Sequence, residues 1–346
     1  MASAPLLSVR DLRVGFVTEG GRLQAVDGVS FDLAPGEVLA IVGESGSGKS
    51  VIAQTIIGLT RSPNSRIDGS VQLRGAELID ADDAELRKVR GEQIGMVFQD
   101  PMTSFNPVYK IGWQIVEAIR AHRRDIGDKE AGEIAVEMLD SVGIPNPARR
   151  VDDYPHEFSG GMRQRAMIAM ALALEPDLLI ADEPTTALDV TVQAQILALL
   201  ERLNRDRGLA TILITHDLGV VAEVADRVLV MYAGRVVEQG TLDEIFYDPQ
   251  HPYTWGLLGS LTRMDRERPK RLPQISGAPP SLQSLPQGCS FRPRCPHEFG
   301  RCSELPALDA RLSETPAHLD RCWLSPEQKC ELRQVEGEIG LEAPAR

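Results

Sequence analysis

Short, uniformly apolar runs alternate with longer amphipathic stretches over the first two thirds of the chain. Val38-Leu39-Ala40-Ile41-Val42 is apolar throughout and runs into a glycine, and Leu178 to Ala181 and Thr211 to Thr215 have the same character. Runs this short, with no polar alternation, predict strands buried on both faces. Between them, Val51 to Leu59 has few breakers, Met162 to Leu174 is rich in alanine and methionine, and Val192 to Arg205 carries apolar residues at helical spacing. These stretches predict helices, and strands alternating with helices imply a largely parallel sheet covered on both sides. Arg227 to Tyr232 and Arg235 to Gln239 flank Ala233-Gly234 and predict a hairpin. Near the start, Leu6 to Phe16 and Val29 to Leu33 predict antiparallel strands, and Thr18 to Gln24 reads as an insertion beside them. The segment 101–158 is mostly helical in pattern and predicts a subdomain inserted into an α/β fold.

The alternation stops near residues 245–250, which divides the chain into an expected α/β domain, 1–247, and a loop-rich extension, 248–346. Eleven of the 23 prolines fall from Pro269 onward, and all five cysteines lie between Cys289 and Cys330. The composition, 42% apolar and 25% charged over 346 residues, is that of a globular protein with ample chain for a core. Fifty acidic against 37 basic residues give a net charge of −13, which argues against nucleic acid as a partner. No apolar run is long enough to span a bilayer, and the N-terminus lacks the layout of a secretion signal, so a cytosolic location is expected.

The chemistry begins directly after the first buried run. Gly43-Glu44-Ser45-Gly46-Ser47-Gly48-Lys49-Ser50 fits G-x-x-x-x-G-K-[ST] between a strand and a helix. Glycines let the backbone curl so that several N–H groups face one anion, and the following helix N-terminus adds its dipole. Lys49 can reach the β- and γ-phosphates of a nucleotide, and the Ser50 hydroxyl can ligate Mg²⁺. A second apolar strand ends in Asp182-Glu183-Pro184, the arrangement that sets a carboxylate against Mg²⁺ opposite such a loop. Glu183 then stands where a base could orient an attacking water. A third stretch, Phe158-Ser159-Gly160-Gly161-Met162, puts a hydroxyl and free N–H groups at a helix start, a second anion site.

With Gln99 after Met96-Val97-Phe98, Ala187-Leu188-Asp189, and His216 after the strand 211–215, six ordered motifs resemble the ATPase subunits of ABC transporters over about residues 6–245. Phe158 and Met162 depart from the family's L-S-G-G-Q but leave Ser-Gly-Gly intact. The resemblance implies that Gly43 to Ser50 hold the phosphates of ATP, that Ser50 and Gln99 ligate Mg²⁺ with Asp182 acting through water, and that Glu183 is the general base or the residue that orients the attacking water. It also implies that His216 contacts the γ-phosphate, that Phe16 stacks on adenine, and that Ser159, Gly160 and Gly161 complete the opposing subunit's ATP site, with Asp189 at that interface. Two subunits would close head-to-tail around two ATP molecules, and the insertion 101–158 would dock the permease.

Gln99 to Pro107, and Asp248 to Thr254 followed by Leu257 to Leu261, resemble the dipeptide/oligopeptide importer subfamily, which also takes nickel and related solutes. That resemblance implies two permeases, an extracytoplasmic binding protein, a second and usually different ATPase chain, and a peripheral place on the cytoplasmic face of the membrane. A soluble ABC ATPase of DNA repair or translation, or a metal-dependent regulatory ATPase, are the alternatives. The cysteines are spaced Cys289-x5-Cys295-x6-Cys302-x19-Cys322, with Cys330 in reserve. Spacing alone leaves zinc, an iron–sulfur centre and plain buried thiols open. Resemblance to subfamily members with a [4Fe-4S] cluster implies that cluster on Cys289, Cys295, Cys302 and Cys322, with Zn²⁺ the alternative.

Overall fold

The computed structural model describes residues 4–186, 188–260, 275–310 and 317–335, so that Ala187 and Leu261 lie outside the described residues. Two sheets organise it. The smaller is antiparallel, formed by β1 (Leu7–Thr18), β2 (Gly21–Leu33), β4 (Ser65–Leu73) and β5 (Ala76–Glu77) in the order β2-β1-β4-β5. The larger contains β3 (Val38–Val42), β6 (Ile94–Val97), β7 (Leu178–Asp182), β8 (Ala210–Thr215), β9 (Arg227–Tyr232), β10 (Arg235–Thr241), β11 (Asp309–Ala310) and β12 (Leu319–Asp320). Its order is β11-β12-β10-β9-β3-β8-β7-β6, parallel from β9 to β6 and antiparallel from β9 to β11.

The uniformly apolar strands are buried on both faces, as their lack of alternation implies. In β7, Leu178 and Ile180 join the core under the antiparallel sheet, while Leu179 and Ala181 join the core under the helices. That second core packs the helices Ile111–His122 and Asp128–Ser141 of the insertion against the helices Gly160–Leu172 and Val190–Arg207. In β3 the alternation serves a third core: Leu39 and Ile41 face the antiparallel sheet, and Ala40 and Val42 face Tyr253 and Phe291 of the C-terminal segment.

Two expectations change. Thr18 to Gln24 is no insertion: Thr18 pairs with Gly21 and Phe16 with Leu23, so the segment is the tip of the β1–β2 hairpin. The large sheet also continues past β10, because β12 pairs Leu319 and Asp320 with Gln239 and Glu238. A two-residue strand carries no periodicity by which its sequence could announce it.

A buried polar knot fastens the C-terminal segment to this edge. The Glu238 carboxylate accepts the N–H groups of Gln250 (2.6 Å) and His251 (2.9 Å) and bonds the His318 ring (2.8 Å). His251 Nδ1 in turn accepts the Tyr253 N–H (3.1 Å) and caps the helix Pro252–Gly259, so that nitrogen must be unprotonated. Burial, with the nearby Lys329 and Arg321 charges, lowers the His251 pKa from 6.5 to about 3. A depressed folded-state pKa contributes stability that is complete above the unfolded value of 6.5 and is lost as pH falls towards 3. By pH 5 the loss is about 2 kcal/mol. Urea unfolding at pH 7 and pH 5 checks this: His251→Asn, which can still cap but does not titrate, is expected to flatten the pH dependence by that amount. An unchanged slope would remove His251 from the account.

Candidate nucleotide site

The carboxyl ends of four adjacent parallel strands, β3, β8, β7 and β6, bring the sequence-predicted residues to one edge, the usual ligand position in open α/β sheets. From β3 the chain turns through Gly43 to Gly48 into the helix Lys49–Ile56. Gly48 holds a left-handed φ of 100°, and a Cβ there would lie 2.4 Å from the Ala25 carbonyl oxygen of β2. Only glycine lets the loop pass so close beneath that strand.

Lys49 is buried, and its ammonium donates to the carbonyl oxygens of Gly43 (2.8 Å) and Glu44 (3.0 Å). Burial holds its pKa below the ordinary lysine value, against the pull of Glu183, Asp182 and Glu44. The Ser50 hydroxyl donates to Asp182 (2.9 Å), whose pKa is raised by burial and by Glu183 despite that bond. Both shifts describe charges short of counter-charge: an anion would restore the lysine and a divalent cation the carboxylate. The Ser47 hydroxyl is buried with no hydrogen-bond partner among the described residues, as expected of a donor waiting for an oxyanion. The residues present therefore fit a phosphate with Mg²⁺.

Glu183 follows β7 in a left-handed conformation, φ 49°, with its N–H donated to Ile214 O (2.8 Å) across the β7–β8 seam. One carboxylate oxygen accepts from Gln99 Nε2 (2.9 Å) and Thr186 Oγ1 (2.8 Å), and the other lies 3.4 Å from His216 Nδ1. Gln99 arrives from β6, His216 from β8, and both are exposed. Thr186 was not anticipated; it lies three residues after Glu183, in the turn closed by its N–H on the Glu183 carbonyl (3.1 Å).

The signature residues are not part of this cluster. Ser159 caps the helix Gly160–Leu172 by accepting the Met162 N–H (3.3 Å), and Ser159 and Gly160 are exposed. Gly161 is needed for packing, since a Cβ would meet Val192 Cγ1 at 2.6 Å. Asp189, also exposed, caps the helix Val190–Arg207 through the Val192 N–H (3.0 Å). Among the described residues no hydrogen bond joins Ser159, Gly160 or Gly161 to the loop 43–50. Phe16 is half-buried against the core below the antiparallel sheet.

Residues 26–186 match the family described as ABC transporter, and residues 237–302 match the oligopeptide/dipeptide transporter C-terminal region. The dipeptide transport ATP-binding protein DppD of Bacillus subtilis (strain 168) is 51% identical over 334 residues, 96% of this chain and 98% of that protein. The oligopeptide transport ATP-binding protein OppD of Escherichia coli (strain K12) is 52% identical over 323 residues, 93% of this chain and 94% of that one. The chain belongs to the ABC ATPases of the dipeptide/oligopeptide transporter family. A solved dimeric structure of MJ0796, a bacterial ABC transporter cassette, matches this ABC ATPase with a TM-score of 0.61 at 30% identity, covering 68% of this chain and 98% of that one. MJ0796 has also been solved in a post-hydrolysis state bound to ADP and Pi, with a TM-score of 0.61 at 29% identity over the same shares of the two chains.

The iron–sulfur expectation is overturned. Cys289, Cys295, Cys302 and Cys322 of this ABC ATPase do line one narrow pocket, but it offers about 20 Å³. That is room for about one water molecule, not for a four-iron cube. Burial raises the Cys289 thiol and pushes those of Cys295 and Cys322 up to about 12. Among the described residues no three His, Cys, Asp or Glu side chains are grouped so as to hold a metal ion. Cys330 stands apart, exposed on the helix Pro326–Val335. Cys289 and Cys295 act as small apolar packing residues against the core that contains Phe291 and Tyr253.

Proposed function

We propose that the chain is the ATP-hydrolysing subunit that powers import of dipeptides or oligopeptides across the cytoplasmic membrane. The observation that carries this is the convergence of Glu183, Gln99 and His216 beside the Ser50–Asp182 pair, in a chain whose relatives are dipeptide and oligopeptide transport ATP-binding proteins. Residues 1–247 form the nucleotide-binding domain, with a helical subdomain at 101–158, and 248–346 form the transporter-type extension.

The backbone from Gly43 to Ser50 and the Lys49 ammonium hold the phosphates; Phe16 stacks on adenine. Ser50 and Gln99 would hold Mg²⁺, with Asp182 behind them, and the ion when bound supplies positive charge against the phosphates. Glu183 takes a proton from the water that attacks the γ-phosphorus, and the bond to the ADP oxygen breaks, giving ADP and phosphate. His216 holds the γ-phosphate in line. Ser159, Gly160 and Gly161 face the ATP of an opposing ATPase subunit, and Asp189 lies at that interface. Their exposure and separation from this chain's own loop are what such a role requires. Closure of the dimer excludes bulk water, and reopening after hydrolysis moves the permeases. The partners are a second, related ATPase chain, two permeases and an extracytoplasmic binding protein. Among the described residues no helix is long and apolar enough to cross a membrane, which fits a peripheral subunit on the inner face.

The test is reconstitution. With permeases and binding protein in liposomes, ATP turnover is expected to rise severalfold on adding a transported peptide, with peptide accumulating inside. Turnover indifferent to permeases, binding protein and peptide would reject the importer reading.

A further inference from the structure

The C-terminal segment reaches the phosphate loop directly. Arg294 ends a one-turn helix, Arg292–Arg294, and only 5% of its side chain is exposed. Its two terminal nitrogens grip the Glu44 carboxylate in a fork, Nη1 to Oε2 at 2.6 Å and Nη2 to Oε1 at 2.9 Å. Behind it, Nε donates to Ser276 O (3.0 Å) and Nη1 also reaches the Tyr232 hydroxyl (3.3 Å). The Glu44 N–H is taken by the Tyr253 hydroxyl (2.9 Å), on a ring fully buried against Tyr232 and Phe291. The remaining polar group of Glu44, its carbonyl, is one of the two on which the Lys49 ammonium rests. Glu44 is thus fastened by its carboxylate and its N–H to residues 250 and 209 positions away, while its carbonyl places Lys49.

We propose that Arg294 is a positioning residue for ATP: acting through Glu44, it sets the first turn of the phosphate loop and so the place of the Lys49 ammonium. The inference rests on the nucleotide site proposed above and assigns the extension a part in it. A loop held in its binding shape before ATP arrives pays less ordering entropy on binding. A bidentate charge-assisted pair with one partner buried is strong enough to do this, where an exposed ion pair would not be.

The experiment is titration of the full-length chain with a fluorescent ATP analogue, for wild type, Arg294→Gln, Glu44→Gln, the double variant and Arg294→Lys. Arg292→Gln serves as control, since Arg292 pairs with Glu298 (3.2 Å) and not with the loop. Arg294→Gln and Glu44→Gln are each expected to weaken binding about tenfold, the double variant no further, and Arg294→Lys to recover part of the loss. In the reconstituted transporter Arg294→Gln should raise the KM for ATP by the same factor, with kcat at saturating ATP kept within about twofold, as expected for lost ground-state binding. Wild-type affinity in Arg294→Gln, or losses that multiply in the double variant, would overturn the proposal. If Arg294→Gln does not fold, Glu44→Gln decides alone, and wild-type affinity there overturns it. If wild type does not bind the analogue, the nucleotide site itself is refuted and this inference with it.

Discussion

Glu183→Gln is expected to reduce ATP turnover by about a thousandfold while ATP remains bound, because general-base catalysis is worth roughly 10²–10⁴ in rate. The geometry makes this substitution unusually clean. Gln99 and Thr186 both donate to the same carboxylate oxygen, and a glutamine can present its amide oxygen there. Its NH₂ then faces His216 Nδ1, which can accept in the neutral tautomer. The fold, the Ser50–Asp182 pair and the phosphate loop are expected to stay as they are, and only the carboxylate is replaced. Phosphate release should collapse in single-turnover assays while labelled ATP stays with the protein through gel filtration. Turnover within about tenfold of wild type would remove Glu183 from the role.

The second large effect separates two glycines of one loop. Gly48→Ala places a methyl 2.4 Å from the Ala25 carbonyl oxygen at a φ of 100°, and that obstacle is the backbone of a paired strand, which cannot move aside. The loop must open, and ATP affinity is expected to fall by about a hundredfold or more, since each 1.4 kcal/mol of displaced binding is tenfold. Gly46 also has a positive φ, 77°, but nothing lies within 4 Å of the added methyl. Gly46→Ala therefore carries only the left-handed strain of about 1–2 kcal/mol, and its affinity should stay within about tenfold of wild type. Equal, small effects at both positions would show that the loop is not where the nucleotide sits.

What could be read from sequence was what is local along the chain. Strand, phosphate loop and helix are covalently adjacent, so their joint geometry is written in residues 38–56, and the carboxylates that end β7 are equally local. The convergence of Gln99, Glu183 and His216 was legible only through motif order, since no periodicity places the ends of β6, β7 and β8 side by side. Thr18 to Gln24 misled because a hairpin tip of polar residues looks like an interruption until its register is known. The cysteines misled for a different reason. Spacing indicates which thiols can approach one another but not how much room they leave, and here the room is about one water molecule. The Arg294–Glu44 fork spans 250 residues, and an arginine in a Pro-rich loop gives no sign that its partner lies in the phosphate loop.

The two-residue pairing of β12 with β10 has a bearing on how the chain is made. β10 leaves the parallel sheet with an open row of N–H and C=O groups, and β12 covers part of it with residues that follow nearly eighty positions later. Glu238 waits equally long for His318. A growing chain that has completed β10 therefore still presents a sticky strand edge and a Glu238 carboxylate whose partners Gln250, His251 and His318 are yet to be made. The dangerous interval in its biogenesis lies between synthesis of residue 241 and that of residue 320. Nonsense or frameshift alleles ending there would yield aggregates, not a smaller working enzyme.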